Sequence, residues 1–286
     1  MTDMIATLDP AGPDPLPVSH PQQPAPAASE PNHHHARTTR LWHWVNLVAL
    51  VTLFMSGLMI FNAHPRLYWG EYGNRDEPAW LAIGQQAQRG YLEIGGTRID
   101  TTGVLGRYED GDGVARSRAF PGWITIPSDY NLADARHWHF FFAWIFAVGL
   151  LIFMVTSLIN GHVRKMIAMR AAEWHPRALW KTIVDHARFD FHTAPGEAYN
   201  PLQKLSYIAV IFVALPLMIV TGLAMSPGTD AALHWPSMLF GGRQTARSLH
   251  FIFAFGLVGF MVLHVVLVII HKPLMLLRGM TIGHPR

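Results

Sequence analysis

The chain has 286 residues, of which 50% are hydrophobic and 14% are charged, and its mean hydropathy is +0.19. A soluble domain carries about 25% charged residues, so this composition indicates a membrane protein. The absence of cysteine excludes disulfides, iron–sulfur clusters, thioether-attached haem and cysteine-ligated zinc. Seventeen histidines leave imidazole as the main soft ligand for a metal. The small net charge of +3 fits membrane topology and gives no sign of nucleic-acid binding.

The two ends of the chain are predicted to be tails. Residues 1–36 contain eight prolines and no apolar stretch, which is typical of a disordered, Pro-rich segment. The run of His33, His34 and His35 in this segment could bind a metal weakly or be an accident of composition. Residues 276–286 are predicted to form a second short tail.

Four apolar stretches of 22 to 24 residues contain no Asp, Glu, Lys or Arg, and they cover residues 41–62, 137–160, 205–226 and 248–271. About 20 such residues suffice to cross a bilayer as a helix. The alternative, buried helices of a soluble protein, fits poorly, because soluble helices rarely run this long without a charge. We therefore expect an all-α membrane protein, a four-transmembrane-helix bundle formed by residues 37–275.

Basic residues predict the orientation of this bundle. Twelve lysines and arginines lie just before the first helix, within the connection 161–204 and after the fourth helix. The short loop before the fourth helix holds only Arg243 and Arg247. Cytoplasmic loops carry the excess of basic residues, and long loops count little in this rule. Both termini are expected on the cytoplasmic side of a bacterial inner membrane, which makes the 63–136 loop a long extracytoplasmic connection.

The outer loop 63–136 is too long for a simple connector. Its segment from Tyr91 to Asp100 alternates like a small hairpin around the turn Gly95-Gly96. Its tryptophans and tyrosines are candidates either for the membrane surface or for contact with a partner. On the other side, the 161–204 connection is predicted to contain an interfacial amphipathic segment that starts near Pro176.

Histidines inside the apolar stretches are the main functional signal, because a polar group within a spanning helix needs a partner or a function. His250 and His264 are fourteen residues apart, close to four helical turns, so they share one face at opposite ends of the fourth helix. Helix direction then predicts two pairs. His139 would face His250 near the outer surface (the outer pair), and His43 would face His264 near the inner surface (the inner pair).

Two imidazoles on each iron, held between helices, bind haem without covalent attachment. We therefore expect two b-type haems, with His43, His139, His250 and His264 as iron ligands. His137 is the alternative to His139. The choice of His139 depends on an arginine three residues before it, a spacing that occurs three times, in Arg40-x-x-His43, Arg136-x-x-His139 and Arg247-x-x-His250.

The surroundings of these histidines leave two alternatives open. Arg40, Arg136 and Arg247 could bind haem propionates or act as ordinary membrane-surface anchors. Small residues in the helices could let a flat macrocycle approach the backbone or serve plain helix packing; these are Gly57, Gly149, Gly222, Gly256 and Gly259.

With these motifs the chain resembles the four-helix di-haem cytochrome b family, which includes the cytochrome b subunits of formate dehydrogenases, thiosulfate reductases and nickel-iron hydrogenases. The resemblance covers residues 37–275 and is nearest to the thiosulfate reductase branch. Besides the fourteen-residue histidine spacing, it is carried by Arg40-Leu-Trp-His43-Trp, Arg136-His-Trp-His139-Phe and Tyr199-Asn-Pro-Leu-Gln-Lys204.

The resemblance implies an electron-transfer subunit of an oxidoreductase complex, exchanging electrons between quinone and a periplasmic catalytic subunit, often a molybdopterin enzyme. It implies a quinone site beside the inner haem, with Asn200, Gln203 and Lys204 as candidate neighbours. The same residues are also typical of a helix start, with Asn200 as cap and Pro201 in the first turn.

Two other functions are compatible with the sequence. One is a stand-alone haem quinone oxidoreductase that acts on a small periplasmic substrate without a partner subunit. The other is a transporter or membrane scaffold whose histidines bind zinc, copper or nothing. Carboxylates are absent from the four apolar stretches, which disfavours a proton pump or a cation-coupled transporter.

Overall fold

The computed structural model of the protein describes residues 37–74, 76–161, 169–188, 200–270 and 273–283. The predicted N-terminal tail with its three histidines, much of the 161–204 connection, and Tyr199 and His271 lie outside these residues. In chain order the helices are α1 (Arg37–Asn62), α2 (Leu132–Ile159), α3 (Pro176–Ala187), α4 (Pro201–Tyr207), α5 (Leu215–Met225), α6 (Pro227–Ala232), α7 (Trp235–Leu239), α8 (Arg243–Ile270) and α9 (Pro273–Thr281).

Within the described ranges, four helical segments are long and apolar enough to cross a membrane, which confirms the predicted bundle. They are α1, α2, α8 and a composite third span, in which the π-helical segment Ile208–Ala214 joins α4 to α5. The π-helical turns come directly before Pro216, which has no backbone N–H to donate and would crowd the carbonyl four residues earlier in a regular α-helix. The outward faces of the spans carry exposed apolar side chains such as Trp144, Leu151 and Ile269.

Each span starts four or five residues before its predicted start. The prediction was limited to charge-free residues, whereas the first turns of these helices are polar. Asn131 caps α2 by accepting a hydrogen bond from the Asp134 backbone at 3.1 Å. Asn200 and Gln203 form a reciprocal capping box at the start of α4, with Pro201 in the first turn, as the sequence indicated.

The loop between α1 and α2, here called the outer unit (residues 63–131), forms small antiparallel sheets. One sheet has the order β1-β2-β3-β4, and a second pairs β5 with β6. The predicted hairpin is confirmed as β3–β4, where Gly95 and Gly96 adopt positive φ and Ile94 pairs with Thr97. The strands are β1 (Arg66–Leu67), β2 (Leu81–Gln86), β3 (Arg89–Ile94), β4 (Thr97–Asp100), β5 (Tyr108–Glu109) and β6 (Ala115–Arg116).

The outer unit is attached to the bundle where α1 ends and α8 begins. A buried cluster joins Leu58 and Phe61 of α1 to Leu67, Ile83 and Phe120 of the outer unit. Polar contacts complete this junction: the Trp80 indole donates to Ser248 Oγ at 2.8 Å, and Ser248 Oγ donates to the Tyr68 carbonyl at 2.6 Å. The bundle of the four spans has a separate apolar core, which includes Ala49, Phe146, Leu150 and Leu215.

The opposite end of the bundle differs from the prediction. Residues 276–286 were expected to be a tail, but most of the described part of this segment belongs to α9, which packs against the start of α1. Arg40 Nη1 donates to the Thr281 carbonyl at 2.8 Å, and the Trp44 indole donates to the Met280 carbonyl at 3.1 Å. The segment near Pro176 forms the predicted amphipathic helix, α3, with Trp180 exposed.

Candidate functional site

The structure brings together both predicted histidine pairs. In the outer pair, His139 on α2 and His250 on α8 have ring centroids 6.4 Å apart. In the inner pair, His43 on α1 and His264 on α8 are also 6.4 Å apart. The interplanar angles are 58° and 60°, so the two pairs have nearly the same geometry at the two ends of α8.

This separation fits one metal ion between the imidazoles of each pair. Two metal–imidazole bonds of about 2.0–2.1 Å, plus about 1 Å from each nitrogen to its ring centre, give roughly 6 Å. Among the described residues, no three His, Asp or Glu side chains cluster as a closed zinc site requires. Paired imidazoles without further protein ligands suit an iron whose other ligands come from a macrocycle.

His137, the alternative to His139, points elsewhere. Its side chain is exposed at the start of α2, whereas the His139 ring is partly buried against α1 and α8. The structure therefore places His139, and not His137, opposite His250.

Both imidazoles of the outer pair are held through Nδ1. His139 Nδ1 lies 3.1 Å from Ser56 Oγ and 3.1 Å from the Leu53 carbonyl. His250 Nδ1 lies 3.0 Å from Thr221 Oγ1. Metal-ligating histidines generally hydrogen-bond through the ring nitrogen that does not face the metal, so Nε2 is the atom available for ligation.

Ser56 and Thr221 were not among the residues predicted from the sequence. A signal for them does exist, because each directly precedes one of the noted glycines, in Ser56-Gly57 and Thr221-Gly222. A hydroxyl in an apolar helix commonly bonds to its own backbone, so one such dipeptide carries little information. A hydroxyl residue followed by glycine in both the first and the third span is a more specific signal than one such dipeptide.

The five glycines noted in the sequence differ in what a side chain at each position would contact. A Cβ added at Gly57 would lie 3.4 Å from His139 Cε1, and one at Gly222 would lie 3.5 Å from His250 Cε1. A Cβ at either position would be in ordinary van der Waals contact with the ring, so these two glycines lie directly against the imidazoles of the outer pair. A Cβ at Gly256 or Gly259 of α8 would meet no heavy atom of the described residues within 4 Å.

Gly149 has a packing role. A Cβ at this position would lie 1.9 Å from the indole of Trp42, so the absence of a side chain makes room for that ring between α1 and α2. The structure thus assigns plain helix packing to Gly149, one of the two alternatives that the sequence left open.

The three arginines have different surroundings. Arg40 is bonded to the C-terminal segment through the Thr281 carbonyl, and Arg247 donates to the His64 carbonyl of the outer unit. Arg136 is exposed and lies 5.7 Å from the Phe140 ring centroid. Arg40 and Arg247 thus hold chain segments together near the ends of the bundle.

The three candidate quinone neighbours cluster at the start of the third span, and the structure adds a fourth residue. Lys204 is 6% exposed and forms an ion pair with Glu173, with Nζ and Oε1 2.8 Å apart. Glu173 also accepts from the Arg170 backbone N–H at 2.6 Å. Glu173 was not predicted from the sequence, because it lies 31 residues from Lys204 in a segment without a motif.

Comparisons with known proteins identify the family of the chain. The prokaryotic cytochrome b561 family matches the chain over residues 34–283. The chain is 25% identical over 242 residues to a putative protein-methionine-sulfoxide reductase subunit YedZ1 of Azospira oryzae, covering 82% of this chain and 89% of the relative. It is 25% identical over 239 residues to a probable Ni/Fe-hydrogenase B-type cytochrome subunit of Cupriavidus necator, covering 79% and 74%. No solved structure matches significantly.

Proposed function

Because the chain belongs to the prokaryotic cytochrome b561 family, we propose that it transfers electrons across the bacterial inner membrane between quinone and a periplasmic oxidoreductase. The family and the four apolar spans make it a multi-pass membrane cytochrome of the b type. The finer assignment rests on one observation, the two histidine pairs with equal 6.4 Å separations.

The outer pair and the inner pair each hold one non-covalent haem b in this proposal, so the chain binds two. His250 and His264 are about 21 Å apart along α8, from a rise of 1.5 Å per residue, which distributes the two sites over most of the bilayer thickness. When bound, haem iron supplies reversible one-electron redox chemistry. The helices fix the positions of the ligating side chains.

The partner is expected on the outer side. The similar proteins of Azospira oryzae and Cupriavidus necator are named as subunits of a reductase and of a hydrogenase, which supports a subunit role here. The outer unit exposes aromatic side chains on which a periplasmic catalytic subunit, of the molybdopterin class by resemblance, could dock. They include Trp69, Tyr72 and Trp123, the last of which is 80% exposed.

The quinone site is proposed at the start of the third span, at the same end of the bundle as the inner pair. A quinone that gains two electrons also takes up two protons, so a site for it needs titratable groups within reach. Lys204 and Glu173 are two such groups, and Asn200 and Gln203 lie beside them on α4. By the basic-residue distribution this end faces the cytoplasm.

Histidine variants test the pairing. We expect His139→Ala and His250→Ala each to remove the same haem, and His43→Ala and His264→Ala each to remove the other, as measured by haem content and reduced-minus-oxidised spectra. His137→Ala is the matched control and retains both haems. Loss of different haems from His139→Ala and His250→Ala would overturn the assignment of the outer pair.

A further inference from the structure

Two buried hydroxyls support the outer pair from neighbouring helices. Ser56 on α1 and Thr221 on α5 are both 0% exposed inside apolar spans. Each donates its hydroxyl proton to a carbonyl four residues earlier on its own helix, at 2.6 Å in both cases. The acceptors are the carbonyls of Thr52 and Leu217.

These bonds determine the direction of the contacts with the histidines. Since the hydroxyl proton is directed to the helix backbone, the oxygen faces the imidazole with a lone pair, and the Nδ1–H group of the histidine donates to it. For His139 the Leu53 carbonyl is a second acceptor at 3.1 Å. The Nδ1 atoms of His139 and His250 are therefore protonated, and their Nε2 atoms carry the lone pairs that a metal needs.

The same arrangement occurs twice. On both helices a glycine follows the hydroxyl residue, and the imidazole lies against it: a Cβ at Gly57 or at Gly222 would be 3.7 or 3.8 Å from Nδ1 of the facing histidine. The hydroxyl orients the ring, and the ring lies directly against the glycine. Two helix pairs, α1 with α2 and α5 with α8, thus present their histidines in the same way.

We propose that Ser56 and Thr221 are positioning residues that set the orientation and the redox potential of the outer centre, an inference that rests on the proposed haem ligation by the outer pair. A hydrogen bond accepted from Nδ1–H makes the imidazole a stronger electron donor at Nε2. Stronger donation stabilises ferric over ferrous iron and lowers the reduction potential. The two hydroxyls together hold the potential of the outer centre below the value it would have without them.

Redox titration of the purified full-length protein tests this inference, with Ser56→Ala, Thr221→Val and the double variant. The His139→Ala protein identifies the outer centre in the titration. We expect the midpoint potential of the outer centre to shift to a more positive value in each single variant and further in the double variant, while that of the inner centre stays in place. Thr221→Ser, which keeps the hydroxyl, is expected to behave as the wild type.

Thr156→Val is the matched control. Thr156 makes the same backbone bond within α2, to the Ile152 carbonyl at 2.7 Å, and its side chain is exposed. This variant should leave both potentials unchanged. An unchanged outer potential in a double variant that retains both haems would overturn the positioning role and leave the ligation intact. A wild-type protein without an outer haem would instead overturn the proposed function.

Discussion

At the scale of single residues, the outer pair shows how polar groups are accommodated within apolar helices. His139 and His250 each satisfy Nδ1 with a hydroxyl from another helix, so neither ring is left with an unbonded N–H in the low-dielectric interior. The positions of both histidines could be predicted from their spacing and from helix direction. The hydroxyls could not, because a serine or threonine in an apolar helix has the same sequence appearance whether or not a histidine faces it.

Lys204 illustrates a second limit of sequence analysis at this scale. Its place at the start of the third span was predicted, but its partner Glu173 comes from a different segment. Nothing in the local sequence of either residue specifies the other, since the contact depends on how the connection folds back onto α4. The resulting ion pair is shielded from solvent, with the two side chains 8% and 12% exposed.

We predict that Lys204→Met lowers the free energy of unfolding by about 3–5 kcal/mol, because it breaks a buried ion pair by removing one of its two charges. Thermal unfolding in detergent measures the effect. Lys181→Met is the matched control: its ion pair with Asp185 is exposed and 3.9 Å long, so the loss should stay within about 0.5 kcal/mol. Equal effects of the two substitutions would show that the Lys204 pair contributes no more than a surface pair.

At the scale of secondary-structure elements, the residue types in each turn decide which strands can be predicted from the sequence. The β3–β4 hairpin was predictable because Gly95-Gly96 is a strong turn signal. The adjoining turn between β2 and β3 is formed by Ala87 and Gln88, both with positive φ although neither is glycine. The sequence of this turn therefore gives no turn signal. Of the four-stranded sheet, only the β3–β4 hairpin was therefore predicted.

The third span carries an irregularity that hydropathy cannot detect. Its apolar run continues without interruption through α4, the π-helical segment and α5. Pro216 indicates a local disturbance of the helix, but the sequence around it does not distinguish a kink from π-helical turns. The span was thus predicted as one regular helix.

The contact between α1 and α2 gives a prediction at this scale. Gly149→Ala would place a Cβ 1.9 Å from Trp42, so the indole or the helix must move. We expect a loss of about 1–3 kcal/mol, as for other overpacked cores, measured by thermal unfolding in detergent.

Gly279→Ala in α9 is the control for that substitution. A Cβ at Gly279 would meet no heavy atom within 4 Å in the part of the chain that the structure describes, and alanine is favoured over glycine in a helix by about 0.5–1 kcal/mol. Its stability should therefore be unchanged or slightly higher. A Gly149→Ala protein as stable as Gly279→Ala would contradict the close packing of Trp42 against Gly149.

At the scale of the whole molecule, the outer unit and α9 lie at opposite ends of the bundle. The outer unit packs where α1 ends and α8 begins, while α9 contacts the start of α1 through Arg40 and Trp44. Because the number of spans is even, α1 starts at the same end of the bundle at which α8 ends. Which side faces the cytoplasm depends on the basic residues alone.

Cysteine labelling tests that orientation, and the absence of native cysteine makes single-cysteine variants unambiguous. Arg89 in the outer unit and Lys181 on α3 have side chains 78% and 81% exposed. We expect Arg89→Cys to react with a membrane-impermeant maleimide in intact spheroplasts, and Lys181→Cys to react only after permeabilisation. The reverse pattern would contradict the orientation inferred from the basic residues.

The most direct test of the whole account is the haem content of the purified protein in detergent, measured from a dithionite-reduced minus oxidised spectrum with extraction and quantification of the haem. Two histidine pairs with the same 6.4 Å separation predict two non-covalent b haems per chain. A single haem would contradict one of the pairs. A folded, haem-supplied preparation without haem would contradict the assignment of both pairs as haem ligands.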